Sequence, residues 1–240
     1  MFAAVLWAGA AFAFAAGGAY TIKADVNLDD QHSLQRGARL FTNYCLSCHS
    51  AAYMRFSRMA EDLELSEEVV TENLMFATDK IGSTMQVALK PADAKEWFGV
   101  APPDLSVIAR SRGADWLNTF FLTFYVDESK PTGMNNLAYP DTAMPHVLWE
   151  LQGLQHLVHS EAEESDAHGA AAPSFKLEHP GAMDEREYRR SVRDLVNFLV
   201  YIGEPSKLVR YKIGNRVIMF LILFTVIAYL LKREFWKDIH

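Results

Sequence analysis

The sequence predicts a mainly α chain: a helical domain with long loops, followed by one C-terminal transmembrane helix. Three observations carry that expectation. Apolar residues recur at helical spacing near both ends of the domain, at Leu34, Gly37, Ala38 and Phe41 and again at Tyr188, Val192, Leu195, Val196, Leu199 and Ile202. The turn formers Pro131, Gly133, Asn135, Asn136, Pro140 and Asp141 crowd residues 127–143 and make a long loop. Residues 217–231 form an unbroken apolar run between Arg216 and Lys232.

A chain of 240 residues allows one or two domains and is long enough for a real core. The net charge is −7, unevenly placed. From Ser206 onward seven Lys and Arg stand against two acids, which gives that tail +5 and leaves −12 on residues 1–205. An acidic domain on a basic tail suits a membrane-flanking anchor in contact with lipid and a basic protein partner. Nucleic acid is not expected as a partner.

The chain divides into residues 1–19, 20–205 and 206–240. Residues 2–19 are almost wholly apolar and rich in Ala and Gly, which fits a secretory signal peptide, with a retained N-terminal anchor as the alternative. The stripe from Leu34 to Phe41 is an amphipathic helix leading straight into Cys45, and Gly37 within it suits a close crossing by another helix.

That helix delivers the sequence Cys45-Leu46-Ser47-Cys48-His49, the attachment signature of one covalent c-type haem. Two thiols one turn apart can each add across a haem vinyl group, and the histidine that follows is placed to bind the iron. A redox dithiol would want a βαβ context, and a zinc site would want a second pair of ligands. Cys45 and Cys48 are the only cysteines, and no paired histidines follow at finger spacing.

Further along, residues 61–68 hold five acids, a solvated face, and Ser66 with Glu67 and Glu68 starts a helix expected to reach about Ala77. Residues 114–125 read as a strongly apolar helix whose aromatics suit haem-pocket or core packing. The loop of residues 127–143 leads into Ala143-Met144-Pro145-His146, and residues 160–173 are an acidic, low-complexity insertion. Asp184 and Glu187 are spaced as a capping box for the last helix of the domain, and Gly203-Glu204-Pro205 ends it. Fifteen apolar residues are short for a core of about 30 Å, but a snorkelling Arg216 extends the span back to Ile213.

His49 leaves a second axial position on the iron. Methionine there raises the potential, histidine lowers it, and an open position admits oxygen or peroxide chemistry. Met134 and Met144 sit on the long loop; Met144, stiffened by Pro145, is the preferred ligand and His146 the next.

Taken together, the stretches RGARLFTNYCLSCHS, KEWFGVAPPDLSVIARSRG, PTGMNNLAYPDTAMPHVLWELQG and DLVNFLVYIGEP, with the C-terminal anchor, resemble the bacterial cytochrome c1 family of the ubiquinol–cytochrome c reductase (cytochrome bc1) complex. The resemblance covers nearly the whole chain. It implies a cytochrome c-like haem domain with haem c bound through Cys45, Cys48 and His49, and iron ligation by His49 and Met144. It also implies that Pro102 or Pro103 offers a carbonyl to His49 Nδ1, and that Arg112, or alternatively Arg110, meets a haem propionate. The implied role is a one-electron relay within a respiratory chain and not an enzyme on its own. The electron would come from the Rieske iron–sulfur subunit, beside cytochrome b in a dimeric complex, and would leave to a cytochrome c. The haem domain would then lie in the periplasm, one C-terminal span would cross the cytoplasmic membrane, and the short tail of residues 232–240 would be cytoplasmic. The alternatives are a free-standing membrane-anchored cytochrome c shuttle, an open-site haem peroxidase or sensor, and a dithiol oxidoreductase.

Overall fold

The computed structural model describes residues 20–158 and 173–237. The expected signal segment, nearly all of the 160–173 insertion with its acids, and the last three residues of the tail lie outside the described residues.

Two long helices frame the domain. Helix α1 (Gln31–Leu40) starts on Asp30, whose side chain accepts from the Ser33 amide, and so satisfies one of the donors that a helix start leaves open. Its last turn widens into a π-helical segment over Phe41–Cys45, with the Leu46 amide bonded back to the Phe41 carbonyl. Helix α8 (Glu185–Gly203) begins with the complete capping box of Asp184 and Glu187. Between them the chain runs through β1 (Ala51–Arg55), α2 (Phe56–Asp62), α3 (Glu67–Leu74), β2 (Thr84–Met85), α4 (Pro91–Phe98), α5 (Ile108–Arg112) and α6 (Ala114–Leu122). It continues through β3 (Phe124–Val126), β4 (Met134–Asn136), α7 (Trp149–Gln152), β5 (Gly153–Val158) and β6 (Ser174–Pro180). After α8 comes α9 (Lys207–Phe235).

Helices α1 and α8 cross at Gly37. A Cβ built there would stand 2.1 Å from the Asp194 carbonyl oxygen and 2.7 Å from Phe198 Cβ, so no side chain fits. Bare backbone on α1 brings the helices close enough for Phe41 and Phe198 to meet at 5.4 Å between ring centroids. The same crossing buries a polar knot. Asp194, 2% exposed, accepts from Ser33 Oγ and from Arg36 Nε at 2.6 Å, and Asn197 donates to Ser33 Oγ. A carboxylate this buried is tolerable only because it is paired and hydrogen-bonded.

Two of the helices expected from sequence end early. The helix capped by Ser66 stops at Leu74, with Met75 extended. The 114–125 segment is helical only to Leu122; Phe124–Val126 instead pairs antiparallel with Met134–Asn136. Aromatic and β-branched Phe124, Tyr125 and Val126 suit a strand as well as a helix, and the partner strand decides. The long loop is therefore in part a hairpin. Two further pairs, β1 with β2 and β5 with β6, add strands to a chain that is otherwise about half helical.

Helix α9 exceeds the expected run at both ends. Val209–Phe235 is long and apolar enough to cross a membrane, and its side chains are exposed.

Candidate haem site

The site is built on the turn that follows α1. The His49 and Cys48 amides both bond to the Cys45 carbonyl, at 2.8 and 3.0 Å, so residues 45–49 wind as one compact turn. Cys45 is buried and Cys48 half-buried, both as free thiols. Burial, helped by Cys48, pushes the Cys45 thiol up to about 12.

The chain from Pro103 to Ser106 is laid against this turn. Pro103 O lies 2.8 Å from His49 Nδ1. With Nδ1–H donating to a carbonyl, Nε2 carries the lone pair, the tautomer a metal-bound imidazole needs. Burial holds His49 below its ordinary pKa, opposed by Pro103 and Asp104. Asp104 is the strut of the arrangement. One of its oxygens accepts from the Ala52 amide at 2.9 Å and the other from the Ser106 amide at 2.8 Å. Leu105 N donates to Ser50 O, and Tyr53 N to Ser106 Oγ. Of the two prolines named from sequence, Pro103 meets His49, and Pro102 is its neighbour in the cavity wall.

That wall encloses about 530 Å³, within the usual range for a small-molecule or cofactor pocket. Cys45, Cys48, His49 and Met144 all line it, as do Trp116, Phe120 and Phe121 of α6. Arg112 lines it too, its guanidinium 5.0 Å from the Trp116 ring centroid and 5.7 Å from that of Tyr139. Arg110 does not. Its side chain approaches Gly203, where an added Cβ would meet its Cγ at 3.4 Å. Two positions apart on one short helix, the arginines take different faces.

Met144 reaches the wall from the loop after β4, and two buried asparagines hold that loop. Asn136 donates to the Phe120 carbonyl at 2.7 Å and accepts from the amides of Ala138 and Tyr139. Asn135 donates to Asp127 and accepts from the Asp141 amide. Lys130 and Asp141 close the loop with an ion pair at 2.5 Å, and the Met144 amide donates to Thr142 Oγ1. Met134 is buried in β4, away from the cavity. His146 is also absent from the wall. It stacks on Phe124 with centroids 4.8 Å apart, and burial pushes its pKa down to about 4.

The residues present fit a covalently held haem: two free thiols a turn apart, an imidazole with Nδ1 committed, an apolar cavity of suitable size and a thioether at its wall. Sequence reasoning did not single out Asp104, Tyr139 or the structural use of Asn135 and Asn136. The signal each left was its place in the stretches that carry the family resemblance, Asp104 in the Pro-Pro-Asp-Leu-Ser run and the others between residues 131 and 153.

Comparison with known proteins points to the same cofactor. The sequence profile described as the Cytochrome C1 family matches residues 22–171 and 181–239. The chain is 44% identical over 224 residues to a protein named cytochrome c1 from Allochromatium vinosum, covering 93% of this chain and 91% of that one. It is 45% identical over 218 residues to a protein named ammonia monooxygenase gamma subunit from Nitrosomonas europaea, covering 91% and 88%. It is 26% identical to a cytochrome b/c1 from Bradyrhizobium diazoefficiens, matching 88% of this chain and 34% of that longer protein. Haem c covalently bound is the family's cofactor, and a c-type cytochrome of the bc1 complex is its role. With the profile matching nearly all of the chain, and a relative of that name matching along almost its full length, the chain belongs to the cytochrome c1 family.

Proposed function

We propose that the chain is the electron-relay subunit of a membrane-bound ubiquinol–cytochrome c reductase, taking one electron from the Rieske iron–sulfur subunit and passing it to a cytochrome c. The observation that supports this best is the convergence of Cys45, Cys48, His49 and Met144 on one cavity. Haem c, when bound, supplies a reversible one-electron centre. The chain's own residues do the rest. Cys45 and Cys48 would anchor the cofactor, His49 and Met144 would ligate its iron, and Pro103 O holds His49 in the binding tautomer. Arg112, between Trp116 and Tyr139, would pair with a propionate. The α6 aromatics exclude water, which favours a high potential together with methionine ligation. No general acid, base or nucleophile is required, so the chain is not an enzyme on its own.

In this reading residues 20–205 are the periplasmic haem domain, and residues 206–240 anchor it beside cytochrome b in a dimeric complex. The −12 on residues 1–205 steers a basic cytochrome c toward it. The second-order rate of electron transfer to a basic cytochrome c is therefore expected to fall as salt rises, and a rate indifferent to salt would remove charge steering.

The test of the site is Met144→Leu in the full-length protein. It should abolish the weak sulfur-to-iron band of the oxidised form and lower the potential; a band that survives here but is lost in Met134→Leu would assign the wrong methionine. A Cys45→Ala, Cys48→Ala double variant should lose haem staining after denaturing electrophoresis.

The Nitrosomonas relative motivates a second reading, in which the same relay serves an ammonia monooxygenase. Purification in mild detergent separates the two. Co-purifying cytochrome b and iron–sulfur subunits support the first reading, and monooxygenase subunits support the second.

A further inference from the structure

A second cavity, of about 370 Å³, lies on the other side of α6 from the haem site, between the extended N-terminal segment and the first turns of α8. Asn118 and Leu122 of α6 line it, whereas Trp116, Phe120 and Phe121 of the same helix line the larger cavity. Five of its nine lining residues are cationic: Lys23, Arg186, Arg189, Arg190 and Arg193. The four arginines fall at i, i+3, i+4 and i+7 of α8 and so share one helical face. Such a stripe of like charge is self-repelling, and it stands in a part of the chain that is acidic overall.

Internal acids answer only part of this charge. Arg189 pairs with Glu185 at 2.9 Å, and Arg193 reaches Asp25 at 3.7 Å and Asp194 at 3.9 Å. Asp25 is the one acid in the lining, and Asp194 is already held by Arg36 and Ser33. Lys23, Arg186 and Arg190 make no ion pair among the described residues. Arg193 Nε is buried and lacks a hydrogen-bond partner, an arrangement that costs free energy unless an acceptor arrives.

We infer that this cavity is an anion site for a phosphate-bearing group carrying two or more negative charges. Guanidinium forks pair with phosphate oxygens two at a time, and several forks on one face suit a multivalent phosphate better than a single carboxylate. The cavity has the volume of a small-molecule site and opens to solvent, so a compact anion can reach the arginines from outside. Bound there, the anion ties residues 22–25 to α8. The segment is otherwise held by Ile22 N on Thr119 Oγ1, Ala24 N on Asp115 Oδ1, and Asn118 Nδ2 on the Ile22 and Lys23 carbonyls.

The test is isothermal titration of the full-length haem-loaded protein in detergent with inorganic triphosphate at fixed ionic strength. The expected result is saturable binding of one triphosphate per chain. It should weaken at least tenfold in Arg186→Gln, Arg190→Gln and again in Lys23→Gln on the separate N-terminal segment, with haem spectrum and potential unchanged. A parallel arm measures flotation with vesicles of phosphatidylglycerol against phosphatidylcholine. Arginine-dependent preference for the anionic vesicles, exceeding competition by triphosphate, names a lipid headgroup as the source of the phosphate. Triphosphate binding without that preference names a free phosphate compound. Absence of saturable binding in both arms, or binding that all three substitutions leave intact, overturns the inference. So does binding of an acidic peptide with no response to triphosphate, which would make the patch a protein interface.

Discussion

The two sides of the haem cavity are built in different ways. The His49 side is local: α1 ends, its last turn widens, and within five residues Cys45, Cys48 and His49 are in place. The Met144 side is made at a distance. Met144 comes from a loop held to the body by Asn136 on Phe120, sixteen residues away, and by Asn135 bridging Asp127 and Asp141. One side inherits its geometry from a helix; the other needs buried amides to define a loop that has no regular structure of its own. The sides should therefore fail separately, each by its own kind of mutation.

The largest effect is expected at the helix crossing that supports the local side. Gly37→Ala places a methyl group 2.1 Å from the Asp194 carbonyl, so α1 must move off α8. A loss of about 3 kcal/mol is expected from overpacking of this kind, measurable as a lowered denaturant midpoint, with misplaced haem attachment. Stability equal to wild type would mean that the crossing is not tight.

Next comes Asn136→Ala. It leaves the Phe120 carbonyl and the Ala138 and Tyr139 amides without their partner, at a cost of about 2 kcal/mol for buried unpaired groups. The haem should stay attached while the sulfur-to-iron band weakens, since the loop carrying Met144 loses its strut. An unaltered band would show that Asn135 and the Lys130–Asp141 pair suffice.

Asp104→Ala acts on the His49 side without touching the motif. Asp104 is itself exposed, so the loss is smaller, about 1 kcal/mol. Hydrogen exchange at the Ala52 and Ser106 amides should accelerate while exchange at Ala138 and Tyr139 does not. Equal acceleration at both places would dissolve the distinction between the two sides.

The smallest expected effect is acid loosening of the Met144 loop. Hydrogen bonds from Ser129 and Asn135 hold the Asp127 carboxyl below its ordinary pKa. A depressed carboxylate contributes stability that is present above the unfolded value, near pH 4, and lost as pH falls through the lower folded value. Protease nicking of the loop should rise on acidification in that window, and Asp127→Asn should flatten the dependence.

What could be read in advance follows the same division. The α1 stripe, the capping box at Asp184 and Glu187, the attachment motif and the apolar anchor are all written in residues within a few positions of one another. Periodicity and spacing suffice there. Asn135 and Asn136 read as turn formers because nothing nearby says that they are buried under Phe120 and Asp141. The short strand at Phe124–Val126 was hidden for the same reason, its partner lying beyond a turn. Choosing between Pro102 and Pro103, or Arg110 and Arg112, required the phase of a short segment against the rest of the fold, which spacing does not encode.

The join between α8 and α9 sets a limit on reach. Only Glu204, Pro205 and Ser206 separate the two helices, and Arg210 turns back to pair with Glu204 at 2.6 Å. Three residues span about 10 Å at full extension, and this ion pair draws part of that length in. Because α8 is locked to α1 at Gly37, and α1 leads into the turn of residues 45–49, this short join ties that turn to α9. In the proposed relay, a haem so closely tied has little travel of its own. The motion that brings donor and acceptor together then falls to those partners.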